Sequence, residues 1–411
     1  MRKGFFTLGF GFLAFSVFPR AEAAVCKVPG AFATIQKAVD DATCTEIQLE
    51  AQTYTEQVSV GRVGLTIVGK GAGRTVLRSP TTRTRSKVST TLLPKYTYVL
   101  EIKPGAVVNV RDLTIDGRKN ATCTERFFGI RFHNASGQVD RVVVENVRGQ
   151  GSNFALSCSN MFAIGVTSEG ALASSVEVKQ ATIRQFQAVG LWAAGANTGL
   201  SIQNTIVRGE GVQNSLPQTG IRFASGASGA LDRNNVFDLR YSGDPCRGVG
   251  TGLELTRAGQ AFVTANVIID ADRGLLLSEN GKPVVVYDNR FIRNYLGIES
   301  TANGDGQIRI SKNAFSELKR SGATTVDSCF PLSGDGIAVS DELDTVVIQN
   351  SITDSARNAI ELNAGTENLD VQQNQATRSA QQDIEDQGTA NRITLNRCWK
   401  SSAPGLCVDS P

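Results

Sequence analysis

The 411-residue sequence has one histidine, two methionines, two tryptophans and 11 prolines. A single His and the absence of any Cys-x-x-Cys pair argue against a zinc or haem site, and no cofactor or metal is expected. An excess of charge of either sign is also missing. Lys and Arg number 42 against 39 Asp and Glu, a formal +3, and nothing in that balance points to nucleic acid. Hydrophobic residues are 41% and charged residues 20%, which excludes a disordered chain or a collagen. Beyond residue 23 no run is apolar enough to span a bilayer.

The first segment present is an export signal. Arg2 and Lys3 precede an apolar stretch from Gly4 to Phe18, and Ala21-Glu22-Ala23 reads as a small-x-small cleavage site. The expected organisation is therefore a signal peptide over 1–23 and one domain over 24–411, in an exported protein of the periplasm or the medium. All eight cysteines (26, 44, 123, 158, 246, 329, 398, 407) lie after the signal. An even count in an exported chain reads as disulfides, and neighbour pairing (26–44, 123–158, 246–329, 398–407) is the expectation.

Two short patterns recur. The first is an apolar residue, any residue, then Asn. It gives Asn146, Asn204, Asn235, Asn266, Asn289, Asn313, Asn350, Asn374 and Asn396, with Asp112 and Gln180 in the same frame. Its shortest steps are 22–24 residues. The second is Gly-apolar-x-apolar, as in Gly129-Ile130-Arg131-Phe132, Gly220-Ile221-Arg222-Phe223 and Gly252-Leu253-Glu254-Leu255. Its alternation marks strands with one buried face. Three short strands in a coil of 22–24 residues predict one rung of an all-β, right-handed parallel β-helix. A single rung cannot bury its inner face, but stacked rungs share a continuous core. An Asn at the same turn of each rung would build an amide ladder. A leucine-rich or antiparallel repeat is the rival. Phe32, Ile35, Ala38, Val39 and Ala42 share a helical face, so a short capping helix is expected at the N-terminal end.

The segment Phe32-Ala-Thr-Ile-Gln-Lys-Ala-Val-Asp40, with Ile47-Gln-Leu49, Tyr54-Thr-Glu56 and Leu65-Thr-Ile-Val-Gly69, resembles the opening coil of secreted pectin-methylesterase-like and pectate-lyase-like β-helix proteins. The Asn-bearing rungs resemble the generic parallel β-helix repeat of bacterial secreted proteins. The resemblance implies a pectin-lyase-like solenoid. The esterase motifs Gln-Asp-Thr-Leu and Asp-Phe-Ile-Phe-Gly are absent, as are the Gly-His-Gly of polygalacturonases and the Asp-Pro-His-Asp of mannuronan epimerases. No catalytic residue is inherited.

The x positions of the second pattern should point outward in one row: Glu101, Arg131, Gly165, Trp192, Arg222, Glu254, Leu276, Glu299, Ala338, Glu361 and Glu385. Arg131, Trp192 and Arg222 are the expected substrate-binding residues. An indole stacks on sugar C–H surfaces, and guanidinium groups grip carboxylates. Glu254 and Glu299, two rungs apart with Leu276 between them, are a candidate acid and base for glycoside hydrolysis. Arg222 beside Glu254 is the alternative constellation, for a lyase. The bland reading is a packed Trp192 and solvated glutamates. A basic insertion from Leu77 to Thr97 holds Arg78, Arg83, Arg85, Lys87 and Lys95, and could attract an acidic polymer. Asp270 and Asp272 are too few to claim calcium. The functional expectation is a secreted protein that binds, and as an enzyme would depolymerise, a polysaccharide along this face. A non-catalytic structural or adhesive rod is the alternative. A metal-delivery factor is disfavoured by the single His.

Overall fold

Alternation sets the architecture. In Ser174–Lys179 every second side chain is buried, and in Glu46–Leu49 and Thr198–Gln203 the same period recurs. Each such strand has one inward face that needs a partner above and below. The computed structural model describes residues 24–86, 96–123, 125–149, 159–244, 246, 248–304, 307–320 and 334–408. The expected signal peptide lies outside them.

The strands form three all-parallel sheets of 14, 12 and 12 members, in which each strand's neighbours come from the preceding and following rungs. The chain is a right-handed parallel β-helix. The core is a single column of aliphatic and Phe side chains running from Cys26 and Val28 to Ile393 and Cys398. Helix α1 (Ile35–Asp40) closes the N-terminal end and is shorter than its apolar face implies. Thr34 caps it by accepting from the Lys37 amide, and Ile35, Ala38 and Val39 are buried beneath it. Cys26–Cys44 and Cys398–Cys407 are disulfides. Cys123 and Cys246 are also disulfide-bonded; their expected partners, Cys158 and Cys329, lie outside the described residues. Among the described residues no helix is long and apolar enough to cross a membrane.

The Asn ladder exists, with a corrected register. It runs through Asn234, Asn266, Asn289, Asn313, Asn350, Asn374 and Asn396, each amide oxygen accepting from the backbone and side chain of the Asn one rung before. Thr205 precedes them and donates its backbone N–H to Asn234. The ladder residue is therefore Asn234, and Asn235 begins the next strand on the exposed side. Asp112, Gln180 and Asn204 are one position early. They are the left-handed residues of the turn (φ 59°, 51° and 49°), a role that falls to Arg233, Ala265, Lys312 and Leu395 in later rungs. Asn146 (φ 58°) turns a different corner, after Val143–Glu145. The sequence reading merged two adjacent positions because Asn suits both, as a left-handed residue and as an amide donor and acceptor.

A second ladder turns another corner: the Ala258 amide donates to Asn280, Asn280 donates to Asn303, and Asn303 reaches the buried carboxylate of Glu342. Ser300 and Thr345 hydroxyls also donate to Glu342, while its burial pushes the carboxyl pKa up.

The corrected register separates two neighbouring asparagines. Asn234→Ala removes the acceptor of the Thr205 amide, the side-chain donor to the Ile202 carbonyl and one of two donors to Asn266 Oδ1, and should cost about 2–4 kcal/mol. Asn235→Ala should stay within about 0.5 kcal/mol. Denaturant midpoints of the two variants check this, and equal losses would contradict the register.

Candidate functional site

The expected row lies on the outer face of the 12-stranded sheet that runs from Val58–Val60 to Ile384–Asp386, here called the third sheet. Backbone register pairs Glu101 with Arg131, Arg131 with Gly165, Gly165 with Trp192, Trp192 with Arg222 and Arg222 with Glu254. It continues from Glu254 through Leu276, Glu299, Ala338 and Glu361 to Glu385. Adjacent members stand about 4.8 Å apart along the axis.

A second outward row was missed. It is the residue just before the recurring Gly, or before Ala163 in one rung: Phe128, Phe162, Val189, Thr219, Thr251, Arg273, Leu296 and Asp335, in register from rung to rung. The local reason is the glycine itself. A Cβ on Gly220 would stand 2.6 Å from the Gly252 carbonyl oxygen, and one on Gly252 2.6 Å from that of Gly274. The backbone there presses on the next rung, strict alternation lapses, and residues three apart both face outward. The recurrence of Phe, Thr, Arg and Asp before Gly is the signal that could have found this row.

The two rows divide the face into three parts. At the N-terminal end every residue of Tyr96–Ile102 and Met161–Thr167 is buried, outer face included. Here Tyr96, Tyr98, Phe128 and Phe162 form a second hydrophobic cluster outside the solenoid core, with Trp192 packed against it. Phe128 stacks on Phe162 at 5.0 Å, and Phe162 on Trp192 at 4.7 Å and 25°. The Phe128 ring lies over Gly165, where a Cβ would come within 2.4 Å of it. Arg131 is wholly buried, not solvent-facing as its expected role required.

In the middle, Trp192, Arg222, Glu254, Leu276 and Glu299 are all half-buried. This window of five rungs spans about 19 Å. Its carboxylates are held. Glu254 Oε2 accepts from Arg222 Nε at 2.8 Å and sits 3.3 Å from Thr219 Oγ1, and Thr256 donates to Oε1. Glu299 Oε2 lies 2.5 Å from Arg273 Nε. Each glutamate thus has a cation beside it, and Arg222 is engaged by Glu254. A free acid and base flanking Leu276 are not what the resting structure presents.

At the C-terminal end Arg357 joins Asp335 and Glu361, and the Asn358 amide donates to Glu385. Asp335 is fully buried, and desolvation pushes its pKa to about 6 against the opposing pull of Arg357.

Several other expectations change. Of the basic insertion, Arg78 pairs with Asp116 at 2.7 Å, Arg83, nearly buried, pairs with Glu125 and lies over the Phe127 ring, and Arg85 is exposed. Lys87 and Lys95 fall outside the described residues. Asp270 is clamped between Arg240 and Arg293. Asp272 accepts from the Gly250 and Tyr241 amides, and its burial raises its pKa to about 7. Among the described residues no group of three or more His, Cys, Asp or Glu could hold a metal ion.

His133, two residues beyond Arg131, is buried with its Nδ1 3.1 Å from Thr167 Oγ1. Desolvation first, and Arg131 second, lower its pKa from 6.5 to about 4. Between those two pH values the unfolded chain takes up a proton here that the folded chain refuses. Stability is therefore lost as pH falls through this range. His133→Gln should lessen the drop in melting temperature between pH 7 and pH 4.5, measured against the wild type. An unchanged drop would show that other groups cause it.

Residues 162–335 match the family model of the right-handed β-helix region. No curated protein matches the chain by sequence. Among solved structures it is similar to the pre-mature gene product 12 of bacteriophage phi29, at 10% identity and a TM-score of 0.61 over 84% of this chain and 47% of that one. The chain thus spans about half of the phage protein. It is also similar to the periplasmic alginate epimerase AlgG (9% identity, TM-score 0.53, covering 87% and 77%). A third likeness is to the catalytic domain of a GH87 α-1,3-glucanase in complex with tetrasaccharides (12%, 0.55, 93% and 69%). These likenesses are of fold: this is a right-handed parallel β-helix protein.

Proposed function

We propose that the chain is an exported protein that binds a polysaccharide in the window from Trp192 to Glu299. The observation that carries this reading is one strand register. It sets a half-buried indole, already stacked on Phe162, one rung from an Arg222–Glu254 pair and four from Glu299. An aromatic edge beside paired charged groups suits a sugar ring, which offers C–H faces to the one and hydroxyls to the other. The window runs along the axis, so a polymer can lie across successive rungs. Export is supported by the disulfides. Two fold neighbours are named for carbohydrates, an alginate epimerase and a glucanase.

Binding is favoured over depolymerisation because both candidate carboxylates are held by arginines. Glu254, Glu299 and Arg222 become the catalytic set only if a ligand frees one glutamate from its cation.

The test is affinity electrophoresis and calorimetry of the protein with neutral and acidic polysaccharides, with reducing ends and unsaturated-uronate absorbance followed in parallel. Trp192→Ala should weaken binding on the order of tenfold, the equivalent of one lost stacking contact. It should also lower the melting temperature modestly, because the indole packs on Phe162. Binding without product supports the reading. Product formation abolished by Glu254→Gln or Glu299→Gln would replace it with catalysis, and silence across the panel would overturn it.

A further inference from the structure

A cleft lies on a different face of the solenoid. The 14-stranded sheet that runs from Val25–Val28 to Arg392–Thr394 carries on its outer side an open cleft of about 500 Å³. Five successive strands contribute to it, from Ser136–Asp140 to Ala261–Thr264. Register places Glu177, Ser201, Ala230 and Phe262 in one outward row, and Ser175, Gly199 and Ser228 in the row beside it. From Glu177 to Phe262 the first row covers three rung steps, about 14 Å along the axis.

The backbone does not require the glycine at the centre of the cleft. A Cβ on Gly199 would meet nothing closer than the Ser174 carbonyl oxygen, at 3.8 Å, whereas one on Gly137 or Gly229 would stand 1.9 Å from a carbonyl oxygen of the neighbouring rung. Larger side chains close the ends. Phe262 is 42% exposed, and Tyr287 on the next rung is 39% exposed. By contrast, the outer side of the sheet that includes Thr182–Arg184 and Ile206–Gln213 is crossed by ion pairs such as Arg184–Glu145 and Arg208–Asp238. The chemistry of the cleft is mixed. The Phe262 ring offers an apolar face, and the Ser175, Ser201 and Ser228 hydroxyls and the Gln260 amide offer neutral donors and acceptors. Among the described residues that line it, Glu177 is the one charged group. The Gln138 amide donates to Glu177 Oε2, and Lys179 Nζ lies 3.6 Å from the same oxygen, which leaves Oε1 to accept from a ligand. An anion would meet that carboxylate with no lining cation to hold it, and a purely apolar ligand would strand the hydroxyls.

We infer that this cleft is a separate binding site for a neutral oligosaccharide, with one sugar ring stacked on Phe262 and hydroxyls further along the chain bonded to the serines and Glu177. A neutral saccharide presents C–H faces and uncharged hydroxyls side by side, and a short chain of such rings matches a cleft several rungs long. The open space over Gly199 is then the room the ligand occupies. The site shares no residue with the window from Trp192 to Glu299 and lies on another sheet, so it stands or falls apart from that reading.

The experiment is calorimetry with short neutral oligosaccharides of glucose, mannose and galactose, and with the same oligosaccharides after oxidation of their primary alcohols to carboxylates. The proteins are the wild type, Phe262→Ala, Gly199→Phe and Trp192→Ala. Phe262→Ala should weaken binding of a neutral oligosaccharide about tenfold, the equivalent of one lost stacking contact. Gly199→Phe, which fills the cleft, should abolish that binding step, and Trp192→Ala should leave it unchanged. The oxidised ligand should bind severalfold more weakly, because its carboxylates meet Glu177. Phe262→Ala should melt with the wild type, since the ring is largely in solvent. If Gly199→Phe fails to fold, Ser201→Phe takes its place. Neutral binding that Phe262→Ala and the cleft-filling variant leave intact, oxidised ligand bound as tightly as neutral, or no binding by any neutral oligosaccharide overturns the inference. Binding lost in Trp192→Ala but intact in the cleft variants would do so while leaving the window reading in place.

Discussion

The amide ladder from Asn234 to Asn396 is the constraint on which much of the molecule depends. Each rung turns through a left-handed residue, often one poorly suited to it such as Arg233, Ala265 or Leu395. That conformation costs roughly 1–2 kcal/mol for a residue with a Cβ. The following Asn offsets it with several buried hydrogen bonds, each contributing a net of about 0.5–1.5 kcal/mol. Turn strain and ladder bonding therefore belong to one device. Because each ladder amide bonds backbone and side-chain groups of the rungs next to it, the ladder also prevents one rung from slipping past the next.

A locked rung register has consequences at the opposite face. Side chains far apart in the chain, such as Trp192, Arg222 and Glu254, are neighbours on the third sheet because each rung stacks in the same phase. The glycine before each row position lets two rows face outward. The aromatic residues of one row then reach across the other, as Phe128 does over Gly165. The result is a half-buried window, bounded at one end by a stacked aromatic cluster and at the other by the buried Asp335–Arg357–Glu361 group.

The charges on this face fall into two kinds. Glu254, Glu299 and Asp335 each have an arginine within contact, and these pairs stiffen the window while tempering the reactivity of its carboxylates. Arg131 is the exception, wholly buried beside the Tyr96 and Phe128 rings. A buried ion pair is at best weak support for stability, whereas an unpaired buried charge is a cost.

Much of the fold was legible in the sequence because it is written in periods. Alternation marks strands, the 22–24-residue floor marks rungs, and the outward row from Glu101 to Glu385 follows from strand geometry alone. The ladder was legible except in its phase, since Asn serves equally as a left-handed turn residue and as an amide bridge, and only the bonds distinguish Asn204 from Asn234. The state of the site could not be read in the same way. Whether Arg131 meets solvent, whether Glu254 and Glu299 are free, and whether Trp192 offers both faces depend on side chains from other rungs: Tyr96, Phe128, Phe162 and Arg273. Those contacts join residues roughly 20 to 40 positions apart in the chain. Periodicity says which way a side chain points. Only the packed structure decides what it meets there, because burial and pairing are properties of the assembled neighbours.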